Sequence, residues 1–323
     1  MFTSKQIFEK VNCAVENLSL LREPQSLYEP IRYALSIGGK RVRSVLMLMG
    51  YNLYRDDVDS VLSSALAIET YHNYTLLHDD LMDESDLRRG FPTVHRRWNA
   101  NKAILSGDSM LVLAFQMLQQ NKKNLNDVLD CFTETALEIG EGQEYDMMYE
   151  IRDDVTETEY IEMIRLKTSV LLACSLKIGA LLADAPLEDI ENLYHFGEKI
   201  GLAYQLQDDW LDVYGDERVF RKNLGGDIVS NKKTYMLINA FLRADVRQRK
   251  ELQYWCSLRE FDRHDKITAV TRLYDEMGIG KMSENKINDY FCQAQKYLDA
   301  VNVDDDRKNM LRQYTAELMN RKY

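Results

Sequence analysis

Residues that break regular secondary structure are scarce in this chain, and this scarcity constrains the fold more than any other feature. The 323 residues include only four prolines and 15 glycines. The long stretches without either residue are rich in Leu, Ala, Glu, Lys and Met, which favour helices. We therefore predict an all-α protein. Because no linker or shift in composition divides the chain, we also predict a single domain over residues 1–323.

Three helices can be placed from the residue pattern alone. The stretch Leu193–Tyr214 is predicted to end at Gly215, which is a typical residue just beyond a helix. The apolar stretch Ser169–Ala185 is too short to cross a bilayer, so we expect a buried helix and no transmembrane segment. Apolar residues at a 3.6-residue spacing predict a third helix, with Ser283 as its N-cap. These apolar residues are Ile287, Tyr290, Phe291, Ala294, Tyr297, Leu298 and Val301.

The charge and cysteine content exclude several classes of protein. A net charge of −11 disfavours binding to nucleic acid or to an anionic membrane surface. The five cysteines are odd in number and lack the CxxC spacing of zinc sites, which argues against a disulfide framework. Free thiols are typical of a reducing compartment, so we expect a cytoplasmic protein.

Two aspartate triples with the same DDxxD spacing are the strongest functional signal. Residues three and four apart share a helix face, so each triple directs at least two carboxylates the same way. Such clusters repel themselves unless a cation is bound, and hard oxygen ligands suit Mg²⁺ together with substrate phosphates. Both triples fall near predicted helix C-termini, where the helix dipole disfavours anions. We therefore predict Mg²⁺ ligands at Asp79, Asp80, Asp83, Asp208, Asp209 and Asp212.

Basic residues lie where an anionic substrate of such a site needs them. Three cations follow the glycine pair Gly38–Gly39, and Arg88 and Arg89 follow the first triple. Arginine matches phosphate oxygens with its planar fork, and lysine adds a point charge. His72 lies seven residues before Asp79, on nearly the same helix face and about 10 Å away along the axis. Gln205 likewise shares a face with the second triple.

Taken together, these motifs resemble the trans-isoprenyl diphosphate synthases of the polyprenyl synthetase family. The resemblance extends in the correct order from about Tyr33 to Thr234. A lone DDxxD is weak, whereas the ordered set is very specific. The matching segments are Gly38–Arg43, Leu77–Glu84, Asp86–Gly90, Pro92–His95, Gly107–Asp108, Lys167–Thr168, Gly201–Asp212, Gly226–Asp227 and Lys232–Thr234.

The resemblance implies a fold, a reaction and a role for each site residue. The family fold is one large helical bundle around a central active-site cavity, usually in a homodimer. The implied enzyme is a Mg²⁺-dependent prenyltransferase that condenses isopentenyl diphosphate with an allylic diphosphate. Residues implied to hold isopentenyl diphosphate are Lys40, Arg43, His72 and Arg89. Residues implied to contact the allylic substrate are Arg88, Lys167, Thr168, Gln205, Lys222 and Lys232, of which Lys167, Thr168 and Gln205 are also expected to act in catalysis.

The chain departs from the family pattern at some positions, and other readings remain open. Ser44 replaces a common proline and Asn231 a common glycine, which puts the local loop geometry in doubt. A non-catalytic partner subunit is an alternative, although such a subunit is expected to lose one triple or the basic residues. Terpene cyclases and head-to-head synthases also use acidic helices, but need no second basic pocket. A further alternative is an acidic helical protein without catalytic activity, but it leaves the cations near the triples unexplained.

The resemblance implies that bulky residues just upstream of the first triple limit the length of the product. The resemblance favours Tyr74 as the floor of the cavity. An ideal helix instead places Thr75 about 40°, Tyr71 about 80° and Tyr74 about 140° from Asp79, which favours Tyr71 as the floor. Two aromatic rings argue against a very long product. We therefore expect geranylgeranyl diphosphate, with farnesyl diphosphate the close alternative and a longer polyprenyl diphosphate a further one.

Overall fold

The computed structural model describes residues 1–216 and 224–319, and almost all of its regular structure is helical. The all-α prediction is therefore confirmed. The helices are α1 (Ser4–Glu16), α2 (Gln25–Ser36), α3 (Val42–Asn52), α4 (Leu62–Met82), α5 (Val94–Arg97), α6 (Ala100–Leu118), α7 (Leu125–Glu150), α8 (Glu157–Ile164), α9 (Val170–Leu182), α10 (Leu187–Tyr214), α11 (Gly226–Ser230), α12 (Tyr235–Arg243), α13 (Val246–Ser257), α14 (Arg263–Glu276), α15 (Ile279–Ala300) and α16 (Asp305–Met319). A 3₁₀ turn occupies Val58–Val61, and a π-helical turn occupies Arg165–Ser169.

Within the described residues, the only strands form a small antiparallel hairpin, β1 (Leu87–Arg88) and β2 (Phe91–Pro92). Its turn is Arg89–Gly90, and both residues have positive φ, at 54° and 82°. Positive φ at both central residues is typical of a type I′ hairpin turn. The sequence pattern did not predict these paired strands.

The chain folds into two compact units. The first unit comprises Met1–Phe132, Cys174–Glu191 and Asn302–Leu311. In it, α4 packs along α6 and against α3, and α2 also packs on α6. Helix α3 is buried on nearly every side, so it forms the centre of this unit.

The second unit comprises Thr133–Ala173, Asn192–Val301 and Arg312–Tyr323. Helix α12 packs on α8, α14 and α15, while α14 packs on α11 and α13. Two apolar clusters lie in this unit, one around Tyr160 and Leu206 and one around Leu252 and Leu273. The prediction of a single domain is not tested by this division and stays a prediction.

The three helix predictions fared differently. Helix α9 is buried as expected, and α10 ends at Tyr214, one residue before the predicted Gly215. The predicted N-cap at Ser283 is wrong, because α15 begins four residues earlier and Ser283 is buried inside it. Gly278 precedes the helix with φ 68°, a conformation that glycine adopts without strain.

Candidate active site

The first aspartate triple lies at the C-terminal end of α4, as predicted. Asp83 is the residue just after the helix, and its N–H donates to the Asp79 carbonyl at 2.9 Å. Asp80 is buried, Asp79 is half-buried and Asp83 is exposed. The last turn of a helix disfavours anions, so a cluster placed here calls for a compensating positive charge.

Part of that charge comes from Arg88. Its Nε lies 2.8 Å from Asp80 Oδ1 and 2.9 Å from Oδ2, and its Nη2 lies 3.9 Å from Asp79 Oδ2. Burial raises the pKa of Asp80, and the Arg88 guanidinium opposes that rise. Arg88 is thus held on the acidic triple, and both oxygens of Asp80 accept hydrogen bonds from it. The prediction that Asp80 also binds metal stays a prediction.

Arg89 extends in a different direction from Arg88. Arg88 lies in strand β1 and Arg89 in the turn of the hairpin. The Arg89 guanidinium lies over the loop at Gly38–Gly39 and donates to the Gly38 carbonyl. A Cβ at Gly39 would lie 2.6 Å from Arg89 Nη1, so only glycine leaves room for this contact. The two arginines thus diverge, and their assignment to different diphosphates stays a prediction.

A second, wholly basic cluster lies at the middle of α4. Arg43 Nη1 is 3.0 Å from His72 Nε2. Burial, together with the charges of Arg43 and Arg89, lowers the pKa of His72. A neutral His72 ring accepts a hydrogen bond from Arg43. Lys40 is exposed and directly follows the loop that Arg89 contacts.

Ser44 stands where the family often has proline, and its hydroxyl lies in a buried polar network beside this basic cluster. Its Oγ donates to Glu69 Oε2 at 2.8 Å and lies 3.1 Å from the Arg41 carbonyl. The substitution therefore leaves α3 intact and adds a side chain to a buried polar network. Asn73 donates to the other Glu69 carboxylate oxygen at 3.1 Å.

The residues expected to limit product length differ in their burial. Tyr71 is only 2% exposed, and its ring centroid lies 5.0 Å from that of Phe132. Tyr74 is half-buried, with its ring 4.8 Å from the His78 ring. The Thr75 hydroxyl donates to the His72 carbonyl at 2.8 Å, within its own helix. Tyr71 is therefore a core residue, whereas Tyr74 retains surface that a ligand can contact.

The second triple lies in the last turns of α10, which also agrees with the prediction. Asp208 is exposed, Asp209 is buried and Asp212 is half-buried. Burial raises the pKa of Asp209, and the neighbouring charge of Asp208 adds to the rise while Lys232 opposes it. Burial and the charge on Asp209 likewise raise the pKa of Asp227. Asp209 and Asp227 are thus interacting carboxylates whose burial favours their protonated forms.

A chain of hydrogen bonds connects Thr168 and Gln205 to this triple. Thr168 Oγ1 donates to Gln205 Oε1 at 3.0 Å, and Gln205 Nε2 donates to Asp209 Oδ1 at 3.0 Å. The other Asp209 oxygen accepts from the Tyr160 hydroxyl. Thr168 lies in the π-helical turn, a feature that often marks functional sites. The structure therefore brings Thr168 and Gln205 together as predicted and fixes the direction of their dipoles.

Asp146 is a site residue that the sequence analysis missed. Its Oδ2 lies 2.6 Å from Lys167 Nζ and 3.8 Å from Lys232 Nζ, so it holds two predicted substrate lysines. Burial acts to raise the pKa of Asp146, but the ammonium groups of Lys232 and Lys167 together lower it by more. The pKa of Asp146 is therefore below its usual value. The one sequence signal was Gly142, a turn earlier on α7, where any side chain would overlap the backbone at Lys167.

Backbone contacts connect the second triple to Lys232. The Asp227 N–H at the start of α11 donates to Asp212 Oδ2 at 2.9 Å. The Lys232 N–H donates back to the Asp227 carbonyl at 2.9 Å. Asn231 between them has φ 56°, a conformation that asparagine tolerates better than most residues. The replacement of glycine at this position therefore leaves the turn intact. Lys222, also predicted to contact substrate, lies outside the described residues.

The donor chemistry of both triples fits a divalent metal. Within residues 1–216 and 224–319, no three His, Cys, Asp or Glu side chains form a closed set of metal ligands. Mg²⁺ usually takes one or two carboxylates and completes its shell with water and substrate phosphates. Burial raises the pKa values of Asp209 and Asp227, neighbouring carboxylates add to the rise, and a divalent cation bound there would oppose it. An open carboxylate set of this kind suits a metal that arrives with a diphosphate.

Comparisons with known proteins identify the class of this enzyme. The family model described as polyprenyl synthetase matches residues 24–274. A geranylgeranyl diphosphate synthase of Methanosarcina mazei is 37% identical over 319 residues, which cover 97% of this chain and 95% of the relative. A short chain isoprenyl diphosphate synthase of Methanocaldococcus jannaschii is 40% identical over 254 residues, covering 78% and 77%. A crystal structure of a geranylgeranyl pyrophosphate synthase superposes with a TM-score of 0.95 at 37% identity, with full coverage of both chains.

The fold and these matches define a prenyltransferase. The chain belongs to the polyprenyl synthetase family. Among the helices that the structure describes, none is both long and apolar enough to cross a membrane.

Proposed function

We propose that this enzyme condenses isopentenyl diphosphate with an allylic diphosphate to form a short-chain (E)-prenyl diphosphate. The observation that supports this most directly is the pair of different environments along α4. Near its middle, His72 contacts Arg43 and is near Arg89, and at its C-terminal end the helix carries an acidic triple. Two diphosphate substrates, one bound by cations and one bound through metal, need these two kinds of site.

Isopentenyl diphosphate is assigned to the basic cluster. Arg43 and Arg89 supply planar donor forks, and Lys40 adds an exposed ammonium group. The lowered pKa of His72 favours its neutral ring, so that it orients Arg43 rather than adding charge. The resemblance implies a metal-free pocket, and the cations of this set supply the positive charge that a diphosphate needs.

The allylic diphosphate is assigned to the two triples and their neighbouring cations. Asp79, Asp83, Asp208, Asp209 and Asp212 are the proposed Mg²⁺ ligands. Asp80 is assigned the same role once substrate releases it from Arg88. When bound, Mg²⁺ neutralises the diphosphate and makes it a better leaving group. The proposed direct contacts to this substrate are Arg88, Lys167, Thr168, Gln205, Lys222 and Lys232.

The reaction needs charge stabilisation and positioning more than a protein nucleophile. The allylic C–O bond breaks, and the diphosphate leaves with the electron pair. The double bond of isopentenyl diphosphate then forms the new C–C bond, and a proton passes to the departing diphosphate to restore an alkene. Thr168 and Gln205 present neutral oxygen dipoles that stabilise an allylic cation without capturing it. Lys167 and Lys232, which both lie near Asp146, are assigned to bind the diphosphate.

The favoured product is geranylgeranyl diphosphate, and farnesyl diphosphate is the alternative. The name of the Methanosarcina mazei relative supports the twenty-carbon product. Tyr74 is the better candidate for the cavity floor because Tyr71 is already packed in the core.

A homodimer, a single functional domain and a cytoplasmic location are also proposed. Helix α6 exposes Ile104, Leu105 and Val112, and a second copy of the chain would cover such an apolar surface. Cys131 and Cys174 lie with their sulfurs 3.7 Å apart as free thiols, which suits a reducing compartment.

One incubation series tests the reaction. The purified protein is mixed with isopentenyl diphosphate and with dimethylallyl, geranyl or farnesyl diphosphate, with Mg²⁺ or with a chelator. We expect Mg²⁺-dependent products up to twenty carbons, sized by chromatography. A complete lack of elongation with all three starters would instead favour the non-catalytic partner subunit.

A further inference from the structure

Lys266 on α14 is an unusual residue because its side chain is fully buried, with 0% exposure. Burying an ammonium group is costly unless its donors are satisfied. No carboxylate lies within 4.0 Å of Lys266 Nζ among the described residues. Its donors go instead to the Val229 carbonyl at 3.1 Å and to Asn231 Oδ1 at 2.7 Å. Because this buried ammonium group donates to two neutral oxygens, we infer that it serves to hold those two oxygens in position.

The two oxygens belong to one short turn. Val229 lies in the last turn of α11, and Asn231 follows the helix with φ 56°. The positive charge of Lys266 faces the C-terminal end of α11, where carbonyl oxygens lack helical partners. The Phe261 ring lies 4.2 Å from Lys266 Nζ and covers the charge. Burial lowers the pKa of Lys266.

The nitrogen of the Asn231 side-chain amide is also held by a hydrogen bond. This Nδ2 donates to the Cys256 carbonyl at the end of α13, at 3.0 Å. The side chain of Asn231 therefore joins Lys266 on α14 to α13, and its backbone is left with little freedom. The next residue along the chain is Lys232, whose ammonium group lies near Asp146.

We propose that Lys266 is a positioning residue for Lys232, because it clamps the turn at Asn231 from which the Lys232 side chain extends toward the diphosphate. This inference rests on the proposed function, in which Lys232 contacts the allylic diphosphate. Lys266 touches no substrate in this account and acts only through the turn. Its loss allows the turn to relax, so that Lys232 no longer meets the anion in a fixed direction.

The test compares Lys266→Met with Lys232→Ala and with the double variant. Lys266→Met should raise the Michaelis constant for the allylic substrate about tenfold, the size expected for losing hydrogen bonds to a charged group. The Michaelis constant for isopentenyl diphosphate should stay unchanged. In the Lys232→Ala background, Lys266→Met should have no further effect on the allylic substrate, since the residue it positions is gone.

Two further variants separate positioning from folding. Lys308→Met removes another buried lysine, 8% exposed, from the first unit, and should leave both Michaelis constants unchanged. Asn231→Gly keeps the positive φ but removes the oxygen that Lys266 contacts, so it should reproduce the effect even if Lys266→Met does not fold. Thermal unfolding is followed for every variant.

The outcomes are distinct. If Lys232→Ala leaves the allylic Michaelis constant unchanged, the proposed role of Lys232 is wrong and the inference falls with it. If Lys232→Ala raises that constant but neither Lys266→Met nor Asn231→Gly does so, only the inference is overturned. An equal effect on both substrates, or an effect that persists in the Lys232→Ala background, would also overturn it.

Discussion

Arg41 and Glu69 form a buried ion pair, with Arg41 Nη1 2.8 Å from Glu69 Oε1 and side chains only 3% and 2% exposed. Arg41 lies between Lys40 and Arg43 in the chain, and it has φ 50°, which is uncommon for a residue with a side chain. Its remaining donors reach the Leu35 carbonyl at 2.8 Å and Asn12 Oδ1 at 3.2 Å. The pair therefore fixes the loop that presents two proposed ligands of isopentenyl diphosphate.

Glu69→Ala should lower the free energy of unfolding by about 3–5 kcal/mol, because it leaves the Arg41 charge buried without its partner. Chemical denaturation measures the change. The matched control is the exposed pair of Lys10 and Asp59, whose atoms lie 2.7 Å apart. Lys10→Met should cost under about 1 kcal/mol. Similar losses for the two variants would contradict the importance assigned to the buried pair.

Removing one carboxylate from either triple should abolish most turnover. Asp79→Ala and Asp208→Ala should each lower kcat by roughly 100-fold or more, since metal neutralisation of the leaving group supplies several kcal/mol. Circular dichroism should show an unchanged helical content. Asp289→Ala, at an exposed position of α15, serves as the control and should keep full activity. Normal turnover in either triple variant would refute the requirement for both acidic clusters.

The two adjacent arginines should separate kinetically. Arg89→Ala should raise the Michaelis constant for isopentenyl diphosphate by roughly 10–100-fold, the cost of a lost charge-assisted hydrogen bond. Arg88→Ala should act on the allylic substrate instead, because its side chain is held on the acidic triple. Steady-state kinetics with each substrate varied in turn measures both constants.

Arg96→Ala is the matched control for these arginines. Arg96 lies in α5 just beyond the hairpin and pairs with Asp86 at 2.8 Å. It should leave both Michaelis constants within about twofold of the unmodified enzyme, as exposed ion pairs contribute little. If Arg89→Ala affected the two substrates equally, the assignment of the two arginines would be wrong.

The ends of the long helices were predictable because they depend on local rules. Gly215 marked the end of α10, and both triples lie in the last turns of their helices as expected. The N-cap at Ser283 failed for a related reason. Serine is a common cap, but it also fits a helix interior when buried, and the start is set by the conformation of Gly278.

The contacts that shape the site were less predictable because they join residues far apart in sequence. Lys167 and Lys232 both meet Asp146. The nearby Gly142 is consistent with a close approach of another segment, but it does not indicate which residues approach. Lys266 looks like any surface lysine in sequence, and only packing shows that it is buried. The hairpin at Arg88 and Arg89 was likewise missed, since strands of two residues leave no periodic pattern.

The two tyrosines on α4 should differ when each is replaced by alanine. Tyr74→Ala should lengthen the products beyond twenty carbons, because the half-buried ring is the proposed floor. Tyr71→Ala should chiefly destabilise the fold, by about 3–5 kcal/mol, because its ring is packed against Phe132. Product sizes and denaturation curves are measured for both single variants and for the double variant.

Thr75→Val provides the volume-matched control for this test. It removes a hydroxyl that donates within its own helix and keeps the bulk of the side chain, so product length should not change. A longer product from Tyr71→Ala alone would make Tyr71 the floor, as the ideal helix suggested. Tyr74 extends from α4 on a different side from Asp79, so for its ring to limit the chain the cavity must pass along the helix toward His78. Unchanged products in the double variant would therefore rule out this wall of the cavity as the determinant of length.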